Sequence, residues 1–464
     1  MSIAAFDGLA ITAALGTITE DLGHVALLPW VITAYLAAAA VSVIVAGPII
    51  DAIGVRTTFR VTGLWFLVWS AAAAVAPSMP LLIVARALQG IGGGLVMAVA
   101  LASIGLTYPS DLRPRALAAN STVWGLMAFG GPALAGVVLA VGDWRLIFVV
   151  QLPLTGLALL IGWSTLPEAA VGAVRTRFDT VGVALLTVLT LASLVAVSEV
   201  GDRWDVVAVG TVVSAVTAAG YWIHAGKSAA PVLARRHIVG FPNWAAHAVV
   251  AVALTAGLAL DNFLPIYVQV DRGHSESVAA FTLAFLSVGW TSGSILFSRA
   301  FVHLVPARVM RWGALLVTIG CALGALSIWQ SWHLAGVFAC YTIIGLGIGL
   351  ATTPAMNWLQ SSSAPTEMGR ATGSHHFLRQ LAITYGVAAG GAVLLAVVAQ
   401  RVDDVDVVRE ALAGEDVALG GDAGAAIAAG LATVGVMSAC LALIGVVVSS
   451  LVLRRVTGGV RHRP

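Results

Sequence analysis

Charged residues are scarce in this chain of 464 residues: they make up 10% of it, whereas a soluble protein carries about 25%. Lys227 is the single lysine among 24 basic residues. The three cysteines (Cys321, Cys340 and Cys440) all fall in apolar segments, which argues against a disulfide framework and against a metal site. No basic tract, nucleotide-binding loop or nucleophile–base pair occurs. The sequence therefore predicts neither an enzyme nor a nucleic-acid-binding protein, and no cofactor or metal is expected.

Apolar residues are abundant instead, at 59% of the chain, with a mean hydropathy of +0.97. A helix that crosses a bilayer needs about 20 mostly apolar residues, because the backbone must satisfy its own hydrogen bonds in hydrocarbon. The sequence predicts an all-α polytopic membrane protein with fourteen such spans. They are predicted over 1–18, 27–50, 59–76, 80–106, 117–141, 146–166, 179–198, 205–224, 242–267, 277–298, 309–328, 332–354, 373–399 and 425–453.

Basic residues are distributed unequally between the alternate connections of these spans. Seventeen fall on the side that carries both termini and five on the opposite side, while Arg86 and Arg379 lie within spans. Since basic residues concentrate on the cytoplasmic side, both termini are predicted to be cytoplasmic. The abundance of Ala, Val, Gly and Arg indicates a GC-rich bacterial genome, and hence the bacterial plasma membrane. Only six residues precede Asp7, so we expect a natural start farther upstream.

Four ionisable residues stand inside predicted spans: Asp7, Arg86, Asp261 and Arg379. Each costs about 3 kcal/mol or more at the centre of a membrane helix, so such residues are candidates for function. The alternatives are a structural ion pair for Arg86, a helix-end carboxylate for Asp261, and side chains of Asp7 and Arg379 that reach the interface. Burial favours the neutral form of a carboxyl group and a nearby arginine favours the charged form. A change in their separation would therefore capture or release a proton.

Glycines and tryptophans give further candidates. Gly90 and Gly92–Gly94 in the fourth span would let helices approach closely, and Pro132 in the fifth would allow a kink. Trp65, Trp124 and Trp290 lie within spans, where they would line a substrate cavity by stacking and cation–π contact, or else face lipid.

Several short motifs occur in register along the chain. The first span runs from Phe6-Asp7-Gly8 to Asp21-Leu22-Gly23, and the connection after the second span reads Gly47-Pro48-Ile49-Ile50-Asp51-Ala52-Ile53-Gly54-Val55-Arg56. Further motifs are Arg86 to Gly90, the set Gly125, Gly131, Pro132 and Gly136, the stretch Asp143 to Phe148, and Gly369 to Gly373 with Arg379. Together they resemble the major facilitator superfamily, and within it the 14-spanner drug:proton antiporter family. That family normally carries basic residues where Ala52 and Val55 stand.

The resemblance implies a major facilitator fold. Two six-helix bundles, 1–166 and 241–464, would be joined by an inserted two-helix linker, 167–240. The resemblance also implies a gate on the cytoplasmic side, in which Asp51 caps the thirteenth span. Further members of this gate would be Gly54, Arg56, Arg113, Arg115 and Arg379. The motif of Gly125, Gly131, Pro132 and Gly136 would pack the fifth helix.

The function that the resemblance implies is proton-coupled export of hydrophobic or amphipathic compounds such as drugs, driven by the proton gradient. Asp7 would carry the proton, Arg86 would modulate it, and Asp261 would be a second proton or cation site. The partners expected are the small substrate, protons and membrane lipids, with a monomer as the working unit. Export of a specific lipid, siderophore or biosynthetic product is the alternative, since lipid exporters of the family also have an acidic residue in the ninth span. A membrane sensor that does not transport is an alternative of another class.

Overall fold

The computed structural model describes residues 6–7, 11, 14–24, 27–168, 178–200, 203–402 and 421–460. Within these ranges the chain is helical and contains no strand. The long helices are α1 (Leu15–Leu22), α2 (Leu28–Ile53), α3 (Val55–Ala74), α4 (Met79–Thr107), α5 (Arg113–Val141), α6 (Arg145–Thr165), α7 (Thr180–Ser198), α8 (Trp204–Lys227), α9 (Asn243–Asp261), α10 (Glu276–Leu296), α11 (Pro306–Trp329), α12 (Leu334–Ser362), α13 (Met368–Val398) and α14 (Gly421–Val460).

Eleven helices in the described residues are long and apolar enough to cross a membrane, and α5 would be a twelfth if its two bent parts form one span. The all-helical membrane fold is therefore confirmed, but the count of fourteen spans stays a prediction. The predicted span 1–18 falls partly outside the described residues. The predicted third span corresponds to α3, a helix of 20 residues. It is less apolar than these eleven helices because Arg56, Arg60 and several threonines occupy its first half.

Helix boundaries follow local chemistry. Pro80, Pro114 and Pro306 stand in the first turns of α4, α5 and α11, where a missing backbone N–H costs nothing. Gly54 separates α2 from α3 with φ +82°, a left-handed conformation that other residues adopt at a cost. The predicted gate residue Gly54 thus has a local role, because it lets α2 end directly before α3 begins.

The chain divides into two compact units. Unit 1 contains Met1–Leu194, Val212–Gly240 and Leu359–Phe377, and unit 2 contains Val195–Thr211, Phe241–Trp358 and Leu378–Pro464. The bundle boundaries predicted after residues 166 and 240 stay a prediction.

Close contact between α2 and α4 is the central feature of unit 1. A Cβ atom on Gly90 would collide with the backbone carbonyl oxygen of Tyr35, and one on Gly94 would collide with that of Ala39. The close packing predicted for the glycines of the fourth span is confirmed at these positions. Beside this contact, Phe6, Ile18 and Phe148 belong to a buried apolar cluster with at most 1% of each residue exposed. Asp7 and Arg86 are enclosed beside this cluster.

Unit 2 has its own core, built around α9, α11, α12 and α14. Leu260, Tyr267 and Tyr341 are buried in it, together with Cys321 and Ile348. The helix α9 continues through Leu264–Ile266 into a π-helical turn, Tyr267–Asp271. All three cysteines of the chain are free.

Candidate functional site

The carboxylate of Asp7 and the guanidinium of Arg86 form an ion pair in unit 1. Nη1 of Arg86 donates to both carboxylate oxygens of Asp7, at 2.8 Å and 2.9 Å. Both residues are buried, with 0% of the surface of Asp7 and 1% of that of Arg86 exposed to solvent. The structure thus brings together two of the four ionisable residues predicted within spans, although they are 79 positions apart in the sequence.

Two glutamines and a serine complete the hydrogen bonding around this pair. Nε2 of Gln151 donates to Oδ1 of Asp7 at 2.8 Å, and Arg86 donates to Oε1 of Gln89 at 2.6 Å. Nε2 of Gln89 lies 2.9 Å from Oε1 of Gln151 and 2.8 Å from Oγ of Ser70. A buried charge is tolerated when its hydrogen bonds are satisfied, and this network satisfies those of Asp7 from two sides.

Aromatic rings enclose the guanidinium of Arg86. Its Cζ lies 4.2 Å from the centre of the Tyr35 ring and 5.7 Å from that of Phe148, and its Nε donates to the carbonyl oxygen of Val31 at 3.2 Å. The position of Tyr35 depends on Gly90, because Gly90 follows Arg86 by one helical turn and lets α2 approach. The glycines of α4 therefore shape the surroundings of Arg86.

Gln151, Ser70 and Tyr35 were not among the residues predicted from the sequence, and Gln89 entered only as part of the motif from Arg86 to Gly90. Gln151 carried the clearest signal, since it is an amide within the apolar run of α6. A polar residue there needs a partner in the protein interior. Its partner could not be read from sequence, because the contact to Asp7 spans 144 positions.

Asp261 and Arg379, both in unit 2, differ from the pair in unit 1. Asp261 is 6% exposed, and its Oδ1 has no hydrogen-bond partner among the described residues. Arg379 stacks on Trp290 with its Cζ 5.1 Å from the ring centre, and its Nε is likewise without a hydrogen-bond partner in the described part of the chain. The predicted cavity residue Trp290 and the predicted gate residue Arg379 are thus neighbours. Neither charge has an ion-pair partner in the ranges that the structure covers.

The other predicted cavity residues lie on unit 1. Trp65 and Trp124 are both 40% exposed, and Nε1 of Trp65 donates to the carbonyl oxygen of Leu88 at 2.7 Å. Trp65 therefore sits beside the segment of α4 that carries Arg86. The proposed cavity role of the three tryptophans stays a prediction.

Asp51 caps the first turn of α13, within unit 1. Its Oδ1 accepts from the backbone N–H of Gly369 at 2.8 Å and its Oδ2 from that of Arg370 at 3.1 Å, with Nη1 of Arg370 at 3.7 Å. Gly47 and Gly369 let the two backbones meet. A carboxylate at a helix N-terminus satisfies free N–H groups and interacts favourably with the helix dipole. The structure therefore has Asp51 where the family resemblance implied it.

The remaining predicted gate residues have separate partners. Arg56 donates to the carbonyl oxygens of Leu166, at 2.6 Å, and Ser164, at 3.0 Å, and pairs with Glu168. Arg113 donates to the carbonyl oxygen of Gln360, near the end of α12, at 3.3 Å. Arg115 is exposed. Arg56 thus binds the end of α6 instead of joining Asp51.

Replacing Asp51 should loosen the start of α13. In Asp51→Ala we expect trypsin to cut after Arg370 about tenfold faster. Loss of an N-terminal cap costs about 1–2 kcal/mol, and the cleavage rate is proportional to the fraction of molecules in which the start of α13 is locally unfolded. The measurement is the rate of that cleavage in the purified protein. Asp111→Ala, a change at an exposed position of a connection, is the control. Equal rates in the two variants would contradict the capping role.

The motif of the fifth span lies where α5 bends. The parts Arg113–Ala128 and Ala133–Val141 are inclined by 45°, and the part that Pro132 plays in this bend stays a prediction. Gly125 and Gly131 are buried, whereas a Cβ atom on Gly136 would meet nothing within 4 Å. The helix-packing role predicted for Gly136 has no close contact to support it in this structure.

Two of the predicted motifs meet at one end of unit 1. Nη1 of Arg145 donates to Oδ2 of Asp21 at 2.6 Å, and Nε1 of Trp144 donates to the same oxygen at 3.2 Å. The hydrogen bonds from Arg145 and Trp144 lower the pKa of Asp21, so that its carboxylate stays charged at neutral pH. This contact joins the end of α1 to the start of α6. Among the described residues no group of His, Cys, Asp and Glu side chains could hold a metal ion.

Comparisons with known proteins point to a family of membrane transporters. A family model described as Major Facilitator Superfamily matches residues 1–387. The multidrug transporter protein MdtP of Bacillus subtilis is 28% identical over 414 residues, which are 85% of this chain and 73% of that protein. The uncharacterized MFS-type transporter Rv1877 of Mycobacterium tuberculosis is 26% identical over 85% of this chain, but the matched part is only 58% of that relative.

Among solved structures, the human organic anion transporter MFSD10 has a similar fold. The TM-score is 0.65, and the match covers 97% of both chains at 14% sequence identity. At that identity the likeness concerns the fold alone.

Proposed function

Since this chain belongs to the major facilitator superfamily and is a membrane transporter rather than an enzyme, we propose that it is a proton-coupled antiporter. Its substrates would be hydrophobic or amphipathic compounds such as drugs, exported by alternating access. The multidrug relative supports this substrate class. The working protein would be a monomer in the bacterial plasma membrane, with both termini cytoplasmic and no cofactor.

The observation that carries the proposal is the buried pair of Asp7 and Arg86. Both side chains are enclosed, and Gln89 and Gln151 offer Asp7 and Arg86 alternative hydrogen-bond partners. A proton that binds Asp7 would remove the charge that Arg86 balances, and the pair would lose its electrostatic attraction. Arg86 could keep its bond to Gln89 meanwhile. Proton binding would thereby alter the contact between the segment that carries Asp7 and α4.

The proton gradient provides sufficient energy for such a cycle. One proton is worth about 2.3 kcal/mol per 100 mV of membrane potential. It is worth a further amount of about 1.36 kcal/mol per pH unit. At about 100 mV and one pH unit, a single proton in each cycle would sustain a gradient of roughly several hundredfold for a neutral compound, since about 1.4 kcal/mol corresponds to a factor of ten.

In this proposal the other charges have distinct roles. Asp261 would be a second proton or cation site, because its Oδ1 is buried without a hydrogen-bond partner in the described residues. Asp51 would close the cytoplasmic gate by holding α13, and Arg56, Arg113 and Arg115 would lie on the same cytoplasmic side. Arg379 would lie close to the substrate through its contact with Trp290.

Transport in liposomes tests the proposal. The protein is reconstituted, a pH gradient is imposed, and movement of a lipophilic fluorescent cation is followed for wild type, Asp7→Asn and Asp261→Asn. We expect the gradient to drive movement in wild type and not in Asp7→Asn. The matched control is Asp205→Asn, which removes a carboxylate whose side chain is 71% exposed and should leave movement unchanged.

Other results would redirect the assignment. Wild-type movement that ignores the pH gradient, or full movement in Asp7→Asn, would contradict Asp7 as the proton carrier. Absence of movement in wild type would favour a narrow substrate such as a lipid, or a protein that senses rather than transports.

A further inference from the structure

The start of α13 is held within unit 1. Residues Leu359–Phe377 belong to that unit, whereas the chain on both sides of them belongs to unit 2. Asp51 accounts for part of the attachment, through Gly369 and Arg370. Gln360 adds a hydrogen bond from its Nε2 to the carbonyl oxygen of Leu101, at 3.0 Å. A third attachment comes from a different part of the chain.

That third attachment is made by the short helix Arg235–Val239, which follows α8. Arg236 forms an ion pair with Glu367, and Nε2 of His237 donates to Oε2 of Glu367 at 3.1 Å. His237 is 4% exposed. Glu367 directly precedes Met368, where α13 begins. The carboxylate of Glu367 therefore sits at the same helix N-terminus that Asp51 caps, and both negative charges favour the helix dipole.

The short helix is itself firmly anchored to the inserted helices α7 and α8. The hydroxyl of Tyr221 accepts from the backbone N–H of Leu233 at 2.7 Å and donates to its carbonyl oxygen at 2.9 Å. Asp179 accepts from the N–H of Val232 at 3.1 Å and contacts Nε2 of His224 at 2.6 Å. Because this segment is fixed at its base, Arg236 and His237 meet Glu367 in a defined position.

We propose that Arg236, His237 and Glu367 form a second lock on α13, through which the inserted helices control the gate. We call these three residues the linker lock. The proposal rests on the proposed transport cycle, in which the start of α13 must leave unit 1 when the gate opens. Asp51, at the end of α2, and the linker lock, in the short helix after α8, both bind the start of α13. Release of α13 then requires both to break.

The charges around the linker lock define how it works at neutral pH. Burial lowers the pKa of His237, and the hydrogen bond to Glu367 opposes that effect only in part. The imidazole is therefore neutral and donates a hydrogen bond, while Arg236 provides the balancing charge. Arg370 is the other cation near His237. The lock thus depends on Glu367 as the shared acceptor.

Hydrogen–deuterium exchange of the full-length protein in lipid nanodiscs tests the linker lock without any substrate. In Arg236→Gln, amides of the segment 366–371 should exchange about threefold faster, the size expected for loss of a partly exposed ion pair. Glu367→Gln should have the larger effect, about tenfold, because both partners lose the charged acceptor. The matched control is Arg235→Gln. Arg235 lies in the same short helix but binds the carbonyl oxygen of Trp222 instead.

Charge reversal separates the lock from a general structural role. Arg236→Glu should speed exchange in 366–371, and adding Glu367→Arg should return it toward the wild-type rate. Equal exchange in Arg236→Gln and Arg235→Gln, absence of rescue, or faster exchange throughout the protein would overturn the linker lock. Since exchange needs no transport, these results would stand even if the pH gradient drove no movement. In transport-competent protein, Glu367→Gln should change the turnover rate and leave KM for the fluorescent cation unchanged.

Discussion

Asp7→Asn is expected to lower the free energy of unfolding by about 3–5 kcal/mol, because it leaves the charge of Arg86 buried without a carboxylate. Asn can accept a hydrogen bond from Arg86 but cannot balance its charge. Neither residue has access to solvent that could compensate, since 0% of Asp7 and 1% of Arg86 is exposed. The measurement is thermal and denaturant-induced unfolding of the purified protein in detergent.

The double variant Asp7→Asn with Arg86→Gln distinguishes this electrostatic effect from loss of packing. Removing both charges should restore at least half of the lost stability, because no uncompensated charge remains in the site. It should not restore movement driven by the pH gradient, since Asp7, the proposed proton carrier, would still be absent. A double variant that is as unstable as Asp7→Asn would contradict the ion pair. A double variant that regains transport would contradict the coupling role.

Gly90→Ala is expected to cost about 3 kcal/mol, at the upper end of the range for overpacked sites. The new Cβ atom would collide with the backbone carbonyl oxygen of Tyr35, which cannot move away as a flexible side chain could. Relief requires α2 to shift away from α4, and the shift would displace the Tyr35 ring from the guanidinium of Arg86, now 4.2 Å away. The variant should therefore lose transport as well as stability. Thermal unfolding and transport in liposomes measure the two effects.

Gly136→Ala provides the matched control, as another glycine-to-alanine change inside a membrane helix. A Cβ atom at Gly136 would meet nothing within 4 Å. We expect this variant to be neutral or to gain about 0.5–1 kcal/mol, because alanine restricts the unfolded chain more than glycine does. If Gly136→Ala were as damaging as Gly90→Ala, the packing of α5 would differ from the structure. If Gly90→Ala were harmless, the contact between α2 and α4 would not be as close as described.

The gate illustrates how far the family resemblance reached. Asp51 was expected at the start of the thirteenth span, and its carboxylate accepts hydrogen bonds from Gly369 and Arg370. The resemblance did not indicate that Arg56 would bind the end of α6, or that Glu367 would be held by Arg236 and His237. These partners lie in or beside connections between helices, which as a class vary more in sequence than the helices they join. A motif can indicate where a residue such as Asp51 lies, whereas the partners of residues in the connections become known only from the folded structure.

The sequence by itself determined the helical class, most of the spans and the presence of four unusual charges. These are properties of short windows, because hydrocarbon requires about 20 apolar residues in a row and penalises each ionisable group separately. Tertiary structure alone decided that Asp7 pairs directly with Arg86, with Gln89 and Gln151 beside the pair, while Asp261 and Arg379 have no ion pair within the described residues. Pairing depends on which helix faces meet. That choice is set by close backbone contacts such as Gly90 against Tyr35, and the composition of a single helix does not contain it.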